Sequence, residues 1–110
     1  MSHYDKDGNP IDVLRWSELF TDFKYRRIVE TTLPNKIWIS TVWQGLDHSL
    51  VQGKPLIFET MVFQRKEQKE QFDTLDMARY STLAEAKSGH AEMVKKWRAQ
   101  MKDKAKSGAK

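Results

Sequence analysis

Asp47 and His48 stand side by side in a polar loop, Gln44–Lys54, and Glu59 follows in the next apolar run. Those residue types could do acid/base chemistry. Histidine titrates near neutrality, and a carboxylate can fix its tautomer and orient its ring. Hydroxyls for a nucleophilic step lie nearby at Ser40, Thr41, Ser49 and Thr60, but none stands in a strand-to-helix elbow. Neighbours in sequence rarely face each other, so Asp47 would orient His48 poorly. The plainer expectation is a hairpin loop with Gly45 and Gly53 as its turn residues. Glu59 is the odder residue, because an ionised carboxylate inside Leu56–Phe63 (LIFETMVF) is costly unless it is paired. It reads as a cleft carboxylate or, in preference, as a structural residue, either on the exposed face of its strand or paired with Arg79 on a neighbouring strand.

Other chemistries find less support. The histidines, His3, His48 and His90, are scattered and there is no cysteine, so no metal-ligand spacing exists and no metal or cofactor is expected. A cluster of His48, His90 and Glu59 is conceivable but lacks a motif. Asp5, Asp7 and Asn9 resemble a calcium loop, yet Pro10 and Trp16 occupy its required glycine and glutamate positions. No glycine-rich phosphate loop occurs. His90 falls on an apolar stripe and reads as a satisfied core histidine.

The net charge of +4 divides unevenly along the 110 residues. Residues 95–110 hold seven Lys and Arg against Asp103 alone, a net +6, which leaves −2 for the other 94. Lys95, Lys96, Arg98 and Lys102 with Trp97 could bind phosphates and stack a base. A solvated helix end is the competing reading, and the one expected.

The elements that must position these residues follow from periodicity. His3–Pro10 reads as a turn segment, and Asp12 as the N-cap of an amphipathic helix of about three turns. Val13, Trp16, Leu19, Phe20 and Phe23 form its apolar face. Tyr25–Leu33, Ile37–Trp43, Leu56–Phe63 and Thr74–Ser81 read as strands, joined by connections too short for parallel crossovers. Gln64–Asp73 is expected as an exposed hairpin loop. Thr82-Leu83-Ala84-Glu85 is a capping box opening a long final helix, whose interior Gly89 suggests close approach of another element. The class is α+β: an N-terminal helix, a four-stranded antiparallel meander and a long C-terminal helix packed on the sheet. Residues 1–103 form one domain and 104–110 a flexible basic tail. Bulk on both sides of Ile37–Trp43 favours one helix on each sheet face. No run approaches the ~18–20 apolar residues of a membrane span and no signal peptide opens the chain, so a soluble, cytoplasmic protein is expected.

Blocks at Thr41–Ser49, Pro55–Phe63, Arg79–Thr82 and Gly89–Trp97 (GLDHS, IFETMVF, RYST and GH…MV-x-KW) resemble a family of short uncharacterised proteins encoded by tailed phages and prophages. The resemblance implies a phage origin and a host cytoplasm but carries over no catalytic residue. The functional expectation is a small accessory protein acting by protein–protein binding, modulating a host protein or defence complex or pairing with itself. Asp47, His48 and Trp43, with Lys95, Lys96, Arg98 and Lys102, are its candidate binding residues. The alternatives are nucleic-acid binding through the basic final helix and tail, and an acid/base enzyme using His48, Asp47 and Glu59.

Overall fold

The chain enters through a short hairpin, β1 (His3–Tyr4) and β2 (Pro10–Ile11), closed by the Asp5–Asn9 turn. The Asp5 carboxylate accepts the backbone N–H groups of Asp7 and Asn9, each at 2.9 Å, so its charge organises the turn. The computed structural model describes residues 2–47, 53–65 and 72–108, with the backbone alone at 35, 72 and 102–108.

Asp12 caps helix α1 (Val13–Phe20) as expected, its Oδ1 accepting the Arg15 N–H at 2.8 Å. The helix is shorter than its apolar spacing suggested. Asp22 stops the pattern by capping a second helix, α2 (Phe23–Arg26), accepting the Lys24 and Tyr25 N–H groups. Trp16, Leu19 and Phe20 therefore face the core, while Val13 and Phe23 project into solvent.

Four strands follow: β3 (Arg27–Leu33), β4 (Ile37–Trp43), β5 (Phe58–Arg65) and β6 (Phe72–Tyr80). They pair antiparallel in the order β3-β4-β5-β6, the meander expected from the short connections. Bulges at Ile28 and Leu75 break the registers of the two outer pairs. Strand ends shift by about two residues from the sequence reading. β5 and β6 run on to Arg65 and back to Phe72, and most of the hairpin loop expected over Gln64–Asp73 lies outside the described residues.

Helix α3 (Leu83–Gly108) packs against all four strands and continues past Lys102, where fraying was expected, to Gly108. Its capping box forms in part. The Glu85 N–H donates to Thr82 Oγ1 at 3.1 Å, but the Glu85 carboxylate takes the Thr82 hydroxyl rather than a backbone N–H.

The expectation of one helix per sheet face fails. Ile37, Ile39, Thr41 and Trp43 of β4 point to one side, and both helical segments cover that side. Leu19 of α1 and Ala86 of α3 meet in one cluster with Trp43, Ile57 and Phe58. Met93 of α3 joins Leu33, Ile37, Ile39 and Val62 in a second cluster further along the sheet. The physical reason lies in Gly45, at φ +72°, where a Cβ would overlap Trp43 and Trp16. That glycine lets α1 close over the end of β4 on the α3 side, and the Trp16 indole donates to the Gln44 carbonyl at 2.9 Å. Among the described residues no helix is long and apolar enough to cross a membrane.

Candidate functional site

Of the polar candidates, Asp47 and Glu59 are described, and they take separate partners. Asp47 is turned to the backbone, its Oδ1 accepting the Leu56 N–H at 3.1 Å, which ties the loop to the start of β5. His48 lies outside the described residues. Trp43, a candidate binding residue, is fully buried, its indole donating to the Tyr4 carbonyl at 3.1 Å. It is a core anchor and presents no surface to a partner. The odd positions of β4 all face the helices, but Trp38 and Val42 at even positions are bulky too, so alternation alone did not mark the core side.

Glu59 meets Arg79 directly across β5 and β6, with Oε2 3.2 Å from the Arg79 Nε. Gln44 adds a donor at 3.4 Å. A carboxylate only 7 % exposed is thereby paired, as its strand position required.

The basic residues separate into two groups. Lys96 binds Asp76 of β6 at 2.6 Å, and Trp97 Nε1 donates to the same carboxylate at 3.1 Å. Together they hold α3 to the sheet and, led by the Lys96 hydrogen bond, keep the Asp76 carboxyl below its ordinary range. Lys95 and Arg98 instead line an open groove between α3 and β3. Lys102 belongs to the backbone of α3, and its side chain is outside the described residues.

Sequence reasoning missed a buried polar relay. The His90 ring is 4 % exposed and lies between two strand hydroxyls, Nε2 2.8 Å from Thr31 Oγ1 and Nδ1 2.8 Å from Thr41 Oγ1. Thr41 bonds Thr60 across the β4–β5 pair. The relay thus links β3, β4 and β5 beneath α3. Burial lowers the His90 pKa, so the imidazole is neutral, and burial raises that of the Tyr80 phenol. Threonines at the inward positions 31, 41 and 60, opposite a helix histidine, were the available signal. Among the described residues no cluster of three or more metal-ligating side chains occurs.

The second feature is the sheet face that no helix covers among the described residues. Three cross-strand rows occupy it: Arg27, Val42, Glu59, Arg79; Glu30, Ser40, Met61, Met77; and Thr32, Trp38, Phe63, Thr74. Trp38 and Phe63 stack at 5.2 Å, and Met77 is 41 % exposed. Lys36 and Arg65 flank Trp38 around a shallow hollow of about 330 Å³. Comparison with family models, with curated proteins and with solved structures finds no match to this chain.

Proposed function

We propose that this chain is a small binding protein of the phage accessory type, docking on another protein through its uncovered sheet face. The observation that carries the reading is the apolar strip of Trp38, Val42, Met61, Phe63 and Met77 on the side of the sheet away from the helices. A contiguous apolar patch of this kind marks an interaction surface, and methionines let such a surface adapt to its partner.

The occupant best matched is an acidic-rimmed apolar surface of a different protein. Arg27, Lys36, Arg65 and Arg79 border the strip against Glu30 and Glu59, so the face is positive while residues 1–94 as a whole are negative. A second copy would set like charge against like. With strands ~4.8 Å apart and ~6.8 Å per pair of residues, three rows cover roughly 400 Å². That is about half the footprint of a standard stable interface, which suits a regulatory contact better than an obligate dimer. Nucleic acid is the weaker occupant, because Glu30 and Glu59 sit among the rows and the two aromatic rings stack on each other.

The test is quantitative co-purification from host lysate, comparing wild type with Met77→Lys, Arg65→Glu and a helix-side control, Lys87→Gln. A stoichiometric protein retained by the control, lost with both sheet-face variants, and protecting β4–β6 from hydrogen exchange supports the reading. Retention unchanged by Met77→Lys overturns it. So does a doubling of mass in light scattering that Met77→Lys abolishes, which would make the occupant a second copy, and so does RNA or DNA in place of protein.

A further inference from the structure

On the opposite side of the sheet, α3 and the edge strand β3 enclose an open groove of about 630 Å³. Thr31 and His90 form its floor, Ala91 and Val94 an apolar wall, and Lys95 and Arg98 its cationic rim. Lys95 and Arg98 are three residues apart on the helix, so they stand on neighbouring turns of one face. Neither takes part in an ion pair among the described residues. A groove of this volume is in the range that holds small organic ligands, roughly 300–1,000 Å³.

The relay beneath the groove can run in either sense, and the His90 tautomer sets which. With its proton on Nε2, the neutral imidazole accepts from the Thr41 hydroxyl at Nδ1 and donates to Thr31 Oγ1. Each member is then both supplied and supplying, and a chain polarised in one sense strengthens its terminal donor. In that sense the terminal donor is Thr31, which lines the groove together with Lys95 and Arg98.

We propose that this groove binds the phosphate group of a small organic phosphate, with Thr31, Lys95 and Arg98 as its donors and the Ala91–Val94 wall against the organic part. Two cations match a phosphate dianion, and a hydroxyl whose acceptor side is filled by His90 has its proton free for an oxyanion. A carboxylate could accept from the same three donors, but its single charge would leave one of the two cations uncompensated. This site lies on the helix side of the sheet and is independent of the docking face.

The test is NMR of the full chain, titrated with inorganic phosphate and with adenosine 5′-monophosphate as separate probes. Ring nitrogen shifts of unliganded His90 should show the proton on Nε2. Both probes should move Thr31, the His90 ring and the Arg98 Nε saturably, the nucleotide at lower concentration because its organic part meets the wall. Lys95→Gln and Arg98→Gln should each weaken binding by about tenfold or more, the scale of one charge-assisted hydrogen bond. Lys104→Gln/Lys106→Gln in the full chain should leave it unchanged. A proton on Nδ1, unsaturable shifts, binding insensitive to Arg98→Gln, or binding lost with the Lys104/Lys106 variant would each overturn the site. Saturable binding of inorganic phosphate alone, without tighter nucleotide binding, would overturn the organic-phosphate assignment.

Discussion

The Tyr80 ring lies against the backbone of α3 at Gly89, in the space where any side chain at that position would project. That contact brings β6 and α3 together. It explains a glycine in a helix interior, where alanine would be favoured by about 1 kcal/mol on propensity alone. Gly89→Ala should therefore destabilise the protein, with overpacking of about 1–3 kcal/mol outweighing the propensity gain. Urea unfolding followed by tryptophan fluorescence decides the sign, and a more stable variant would contradict the packing described.

Glu59 and Arg79 make a second prediction. Removing only the arginine leaves a carboxylate in the strand with Gln44 as its remaining donor. Because the Arg79 side chain is 36 % exposed, solvent screens part of the loss. Arg79→Met should cost about 1–2 kcal/mol, less than the ~3–5 kcal/mol of a fully buried pair. Glu59→Gln combined with Arg79→Met should recover most of it. A double-mutant cycle in chemical denaturation measures the coupling, and a coupling near zero would count against a paired carboxylate.

The pH dependence of stability should carry the signature of His90. Burial holds its folded pKa below the ordinary value, so the unfolded chain binds the proton more readily. Stability from this group is complete above about pH 6.5 and is lost as the pH falls through the folded value. His90→Gln should flatten that region of the profile and lower stability at neutral pH, since it disturbs the hydrogen bonds of Thr31 and Thr41. Asp76 also loses stability on acidification, but only below the ordinary carboxylate range, because its folded pKa is depressed chiefly by the Lys96 hydrogen bond. Urea midpoints across the range should show two separate falls, the first absent in His90→Gln. A first fall unchanged in that variant would assign it to other histidines.

Local pattern was enough to read most of the architecture. Strict alternation marked β4, the Asp12 cap marked the start of α1, Thr82 and Glu85 marked that of α3, and short connections required an antiparallel meander. The pairing of Glu59 with Arg79 was legible as one of two structural readings, because a charge inside an apolar strand demands either solvent or a partner. The role given to Trp43 was misread because an aromatic beside a polar loop looks alike in sequence whether it faces core or solvent.

What the sequence determined by itself was therefore the set of elements and the groups that needed satisfying. Tertiary structure decided which face each element covered and which polar groups met. Thr31, Thr41, Thr60 and His90 span 60 residues of chain and share one relay only because strand register and the packing of α3 place them in line. Hydrogen bonds among such distant groups depend on angles and separations of a few tenths of an ångström, which periodicity does not encode. The same holds for Asp47 and Glu59, the residues that first suggested chemistry. Each is committed to a partner, a backbone N–H and an arginine, that only the folded chain supplies.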